Sequence, residues 1–141
     1  MALPGGLKEE TDGNDLLVTL KREVFEEIGI APAAIDWCTD SWDSMMSLHK
    51  IEVHPFLGFL KNSLESHASL QLNPGEVQEA EWIPLRQLFD ESLWEFRSYP
   101  DAFTSHGFRM PVWKGWRWET WGLTAAVLNI FVSRISGRSP Y

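Results

Sequence analysis

The chain has 141 residues, 44% hydrophobic and 23% charged, enough for one ordinary domain and too few for two. Its 12 Lys and Arg against 20 Asp and Glu leave a net charge of −8, which excludes a protein that works by neutralising nucleic-acid phosphates along a strand. The single Cys38 excludes an internal disulfide and a CxxC metal site, and no stretch reads as a secretory leader or a membrane span.

The first predicted element runs from Asp15 to Ile28. Asp15 is a good N-cap, Leu16, Leu17, Leu20, Val24 and Ile28 share one side at helical spacing, and Gly29 supplies the stop. Residues 35–42 and 51–60 are rich in β-branched and aromatic side chains and read as strands about a turn at 44–50. Asn73-Pro74-Gly75 is a turn signal, and residues 80–83 read as a short strand closed by Pro84. A short helix is expected over 85–90 and a hairpin over 103–118. A last helix follows over 120–135, with Leu123, Val127, Leu128, Phe131 and Ile135 as its apolar side. Mixed elements around one core predict an α+β domain.

Two compositional features stand out. Of eight Trp, five fall between Trp94 and Trp121, a density that serves a core or an interface. Charge is also uneven: residues 109–141 carry a local +4, against −12 in the first 108. Such an asymmetry fits a cation site in one half and an anionic ligand at the other, or simply solvated faces of opposite sign. His49, His54, His67 and His106 lack zinc spacing and read as ordinary strand or loop residues. Cys38 reads as a small core residue.

The first helix carries the chemistry. Glu23, Glu26 and Glu27 stand at i, i+3 and i+4, and these positions share a face. Three carboxylates so placed repel one another. A divalent cation would neutralise them: hard oxygen ligands suit Mg²⁺ or Mn²⁺, which bind substrate phosphates beside a few carboxylates. The triplet alone is equally satisfied by a solvated acidic face.

The surrounding residues, Arg22-Glu23-Val24-Phe25-Glu26-Glu27-Ile28-Gly29-Ile30, follow the pattern R-E-U-x-E-E-x-G-U, where U is a bulky aliphatic residue, behind Leu3-Pro4-Gly5-Gly6. This resembles the signature of the Nudix hydrolases, G-x5-E-x7-R-E-U-x-E-E-x-G-U. A chance match to its second half in a chain of this length is on the order of one in a hundred thousand. The resemblance implies an α/β/α sandwich around a mixed sheet and Mg²⁺- or Mn²⁺-dependent hydrolysis of a nucleoside diphosphate derivative. It also implies Glu23, Glu26 and Glu27 as metal ligands, one of the three being a candidate base, and Glu23, Glu27 and Arg22 as the catalytic residues. Arg22 would orient a carboxylate, and Gly5 and Gly6 would let the loop approach the site closely.

The first half of the signature departs from the pattern. Asn14 occupies the position of the expected Glu, and the interval from Gly6 to Arg22 is two residues longer than usual. Asp12 and Asp15 flank the gap, so either is a candidate stand-in, although Asp15 is equally required as an N-cap. Further on, residues 73–85, Met110-Pro111-Val112-Trp113 and Trp121-Gly122-Leu123-Thr124-Ala125 resemble the branch that hydrolyses coenzyme A and its acyl esters. Glu76 and Glu79 are candidate extra ligands or bystanders. Arg109, Lys114 and Arg117 beside Trp113, Trp116 and Trp118 would suit the phosphates and adenine of coenzyme A. The same pattern is met by a hairpin with buried Trp and solvated Arg.

Family members have strands ahead of the Pro-Gly-Gly loop, so the expectation is one Nudix domain over 1–141, incomplete at its N-terminus. Two functional readings follow. One is a diphosphatase acting on coenzyme A or acyl-CoA, giving 3′,5′-ADP and (acyl-)4′-phosphopantetheine. The other is an inactive module that binds a nucleotide or a protein. The expected partner is a small nucleotide-type molecule, with neither nucleic acid nor membrane; a homodimer is compatible with either reading. The compartment is the cytoplasm by default, and the mitochondrion or peroxisome if an address precedes Met1, since Ser139-Pro140-Tyr141 is not an S-K-L signal.

Overall fold

Helix α1, Leu16–Ile28, forms where its sequence signals place it. The Asp15 side chain accepts the Leu17 N–H at 2.9 Å, and Gly29 closes the helix in the left-handed region at φ 72°. Thr19 and Val24 are buried, with Leu16, Leu17, Leu20 and Ile28 half-buried beside them. The computed structural model describes residues 1–38, 42–47, 49–62, 70–99 and 108–139. These divide into two compact units, Pro4–Trp82 and a second made of Ile83–Tyr141 with Met1–Leu3.

In the first unit a short 3₁₀ turn, Glu10–Asp12, precedes α1, and a second, Pro32–Ala34, leads into strand β1, Ile35–Trp37. Strand β2 is Met45–Met46, β3 is Glu52–Val53 and β4 is Gly58–Leu60. β1 pairs antiparallel with β4, Ile35 opposite Leu60, and β2 pairs antiparallel with β3. The strand expected over 51–60 is therefore two strands. Pro55 lies between them, and its missing N–H removes one ladder hydrogen bond there. Between β2 and β3 the chain turns through backbone bonds joining Ser47 to Ile51 and Lys50 to Ser47. Residues 39–41 of the first expected strand lie outside the described residues.

In the second unit α2, Leu85–Leu88, is followed by a 3₁₀ turn at Glu91–Leu93, whose Asp90 cap accepts the Ser92 N–H at 3.0 Å. Strand β5, Trp94–Tyr99, pairs antiparallel with β6, Phe108–Trp113, and α3, Gly122–Ser136, completes the unit. Trp113 and Val132 are almost wholly buried and form a core with Leu88, against which Ile83, Phe89, Trp94, Leu128 and Phe131 pack. Beyond β6, Trp113 and Thr120 exchange two backbone hydrogen bonds of 2.8 Å, closing the loop between them.

Helices with small antiparallel sheets form the expected α+β class. Three expectations need correction. The hairpin expected over 103–118 is instead made by β6 with β5, an upstream strand whose Trp-Glu-Phe-Arg-Ser-Tyr alternation suits a two-faced strand; residues 101–107 lie outside the described residues. No strand forms over 80–83, where Ile83 packs into the core beside Leu88 and Trp113 rather than entering a ladder. α3 buries Ala125, Asn129, Val132 and Ser133, while Leu123 and Ile135, expected on its apolar side, are exposed. The mean apolar character of this helix is high on several sides, so its periodicity selects the face poorly. Of the histidines, His54 stands 3.5 Å from Glu52, while His67 and His106 lie outside the described residues. Cys38 is half-buried with a free thiol. No helix among the described residues is long and apolar enough to cross a membrane.

Candidate active site

The site grows from the loop 4–14 folding back against the second half of α1. Arg22 is its hub. Its Nε donates to Asp12 Oδ1 and its Nη2 to Asp12 Oδ2, both at 3.0 Å, a two-pronged pair with an almost fully buried carboxylate. Nη2 also donates to the Leu7 carbonyl at 3.2 Å. Nη1 reaches Glu23 Oε1 and Glu26 Oε2, each at 2.9 Å. One guanidinium thus fastens the loop and holds two of the three helix carboxylates.

The acid that the extended loop supplies is Asp12. Asp15 is committed to capping α1, whereas Asp12 takes Arg22 on both oxygens and accepts the Glu9 N–H at 2.9 Å. Arg22, together with that backbone donor, holds the Asp12 carboxyl far below the usual carboxylate range, and Asp12 holds the guanidinium above its own. The 3₁₀ turn Glu10–Asp12 carries Asp12 to this position. Sequence spacing alone left Asp12 and Asp15 equivalent.

The two glycines act differently. Gly5 has φ +149°, a conformation rarely open to other residues, and its N–H donates to Glu27 Oε2 at 3.2 Å. Gly6 lies flat against Glu23: a Cβ there would stand 2.3 Å from Glu23 Oε1 and 2.5 Å from its Cδ. Glu23 is correspondingly shielded, its side chain 13% exposed, while Glu26 is 47% exposed.

Glu27 differs from its two neighbours. Burial pushes its carboxyl above the ordinary carboxylate range; the Gly5 N–H opposes this, and the negative charges of Glu23 and Glu76 add to it. Glu76 lies in a turn, 73–77, whose Asn73 N–H donates to the Glu27 carbonyl at 3.0 Å. The sequence marked this turn without showing that it docks on α1, because the contact joins residues 46 positions apart.

These residues fit a divalent cation in donor type and in charge. Glu23, Glu26 and Glu27 offer hard oxygens on one helix, and Glu23 and Glu76 add negative charge at a Glu27 carboxyl that burial already pushes up. Arg22 Nη1 holds Glu23 and Glu26 while the Gly5 N–H takes Glu27, and among the described residues no three His, Cys, Asp or Glu side chains stand gathered as an ion site. A cation would therefore compete with Arg22 for Glu23 and Glu26.

Arg109 and Arg117 belong to the other unit. Arg109 lies over the Phe96 ring at 5.2 Å on the β5–β6 pair, and Arg117 over Trp116 at 5.4 Å. Trp118 and Trp121 are about two-thirds exposed, whereas Trp113 is buried. The Trp-rich stretch thus divides between core and surface.

Comparison with known proteins places the chain. The profile of the NUDIX domain matches residues 1–103. Nudix hydrolase 15, mitochondrial, of Arabidopsis thaliana is 34% identical over 131 residues, covering 91% of this chain and 44% of that protein. Peroxisomal coenzyme A diphosphatase ndx-8 of Caenorhabditis elegans is 22% identical over 140 residues, covering 99% of this chain and 56% of that protein. The uncharacterized Nudix hydrolase NudL of Cronobacter sakazakii is 30% identical over 142 residues, covering 99% and 68%. The chain spans about half the length of the first two relatives.

Proposed function

The chain belongs to the Nudix family, and we propose on that basis that it is a divalent-metal-dependent diphosphatase whose substrate is coenzyme A or an acyl-CoA. Members of the family generally use divalent cations and act on small nucleotide derivatives. The observation that carries the reading is the arrangement of the helix carboxylates: Glu27 aimed by the Gly5 N–H at 3.2 Å, and Glu23 and Glu26 held by Arg22 at 2.9 Å. Coenzyme A is favoured by the name of the relative from Caenorhabditis elegans and by the cationic, aromatic stretch 109–118.

Glu23, Glu26 and Glu27 would hold Mg²⁺ or Mn²⁺, which supplies withdrawal of charge from the diphosphate oxygens. Arg22 orients Glu23 and Glu26. Glu27, its carboxylate aimed by the Gly5 N–H, would accept the proton of the attacking water as the oxygen adds to phosphorus and the P–O bond of the diphosphate breaks. One water is consumed, giving 3′,5′-ADP and 4′-phosphopantetheine. Gly5 and Gly6 let the loop approach the carboxylates closely.

The test is incubation of the purified chain with coenzyme A and Mg²⁺ or Mn²⁺, with the products separated by chromatography. The reading expects both products, in equal amounts and only with metal. A folded chain that forms neither, yet cleaves another nucleoside diphosphate derivative, would remove the coenzyme A assignment. One that cleaves none would remove the diphosphatase.

A further inference from the structure

We propose that the turn Asn73–Val77 is a positioning element of this site, with Asn73 acting through the backbone of Glu27 to fix where the Glu27 carboxylate stands. The inference rests on the catalytic reading above.

A helix leaves its last four carbonyls without partners inside the helix, and at the end of α1 these are the carbonyls of Phe25 through Ile28. Gly29 takes the first, donating to the Phe25 carbonyl at 3.0 Å. Two of the others are taken by a segment more than forty residues away: Asn73 N–H donates to the Glu27 carbonyl at 3.0 Å and Gln71 N–H to the Ile28 carbonyl at 3.2 Å. The approach is close enough that a Cβ on Gly29 would stand 2.6 Å from Gln71 Cβ and 2.9 Å from the Gln71 carbonyl oxygen. The end of the carboxylate helix is therefore locked to a distant loop and not merely capped by its own chain.

Asn73 also builds the loop that does the locking. Its Oδ1 accepts the Gly75 N–H at 3.1 Å, and its carbonyl accepts the N–H groups of Glu76 at 3.1 Å and Val77 at 2.8 Å, a side-chain-braced turn of the kind Asn favours. One residue thus braces the turn with its side chain and grips Glu27 with its backbone. Glu27 is held at both ends, its carbonyl by Asn73 and its carboxylate by the Gly5 N–H at 3.2 Å. Loosening the first grip lets the last turn of α1 rotate and displaces the second. The arrangement has a catalytic consequence because displacements near 1 Å at a reacting group change rates by about 10²-fold.

The experiment compares wild-type chain with Asn73→Ala and Asn73→Ser, since serine retains a short acceptor for the Gly75 N–H. Steady-state kinetics on coenzyme A, thermal melting and the amide resonance of Gly5 are measured on each. Asn73→Ala is expected to lower kcat by about 10-fold at nearly constant KM, to shift the Gly5 amide resonance, and to melt within a few degrees of wild type. Asn73→Ser should recover most of the kcat. An unchanged kcat in Asn73→Ala would overturn the proposal, as would a loss that serine does not recover and that matches a loss of folded protein. If the wild-type chain cleaves no nucleoside diphosphate derivative, the catalytic reading fails by itself. The Gly5 resonance then decides: if it is unmoved in Asn73→Ala, the tether to Glu27 fails too, and if it shifts, the tether stands.

Discussion

Gly6→Ala isolates the close approach between the loop and the carboxylate helix. The new Cβ would meet Glu23 Oε1 at 2.3 Å, Cδ at 2.5 Å and Oε2 at 2.7 Å, where ordinary contact begins near 3.4 Å. The carboxylate must retreat by about 1 Å, which takes Glu23 Oε1 from its 2.9 Å contact with Arg22 Nη1 out of hydrogen-bond range. The clash is with the end of a flexible side chain, so the fold survives: an off-rotamer Glu costs about 0.5–1.5 kcal/mol, well inside a margin of about 5–15 kcal/mol. Catalysis does not survive in proportion, because a 1 Å misplacement is worth about 10² in rate. The assay is kcat/KM for coenzyme A with Mn²⁺, alongside a thermal melt, in Gly6→Ala, Glu23→Ala and the double variant. If alanine acts through Glu23, the double variant is no slower than Glu23→Ala alone. A Gly6→Ala enzyme with wild-type kcat/KM, or a double variant in which the two losses simply multiply, would refute the reasoning.

Other expectations follow from the same contacts. The Asp12 carboxyl is depressed in the folded state by Arg22, so its contribution to stability is present above the unfolded value of about 3.9 and is lost as pH falls through the folded value. Wild type should therefore melt higher than Asp12→Asn by a constant margin between about pH 5 and 8, and the margin should shrink below about pH 4; a margin independent of pH down to acid unfolding contradicts the pair. Trp113, wholly buried and donating through Nε1 to the Gln87 carbonyl at 3.3 Å, should cost about 3–5 kcal/mol on replacement by Ala in denaturant unfolding. Trp118→Ala, at a side chain 66% exposed, should cost within about 0.5 kcal/mol, and equal losses for the two would contradict the division of the Trp-rich stretch. Arg109→Ala with Arg117→Ala should raise KM for coenzyme A while leaving kcat near wild type; an unchanged KM removes both from substrate binding.

What was legible in the sequence was local. Helix α1, its Asp15 cap and its Gly29 stop are written within fifteen consecutive residues, and so is the carboxylate triplet whose pattern indicates the family. Pairings across the chain were not. β5 carries its own alternation, yet the pattern around its partner β6 reads as a hairpin with downstream residues, because sequence pattern names strands and not their neighbours. The face of α3 departs from its periodicity for a related reason: it buries Asn129 and Ser133 while exposing Leu123 and Ile135, so tertiary packing overrides polarity. At the site, Asp12 and Asp15 were equivalent by spacing, and only the fold of the loop separated the arginine partner from the helix cap. The docking of Asn73 on Glu27 is a backbone contact and leaves no side-chain signature beyond the turn itself.

Glu27 is the residue on which the proposed chemistry turns. Turnover of coenzyme A at saturating Mg²⁺ should fall by about 10² or more in Glu27→Gln, with the melting temperature close to wild type because the amide retains an acceptor for the Gly5 N–H. A Glu27→Gln chain that turns over at the wild-type rate would contradict the assignment of the chemistry to this helix.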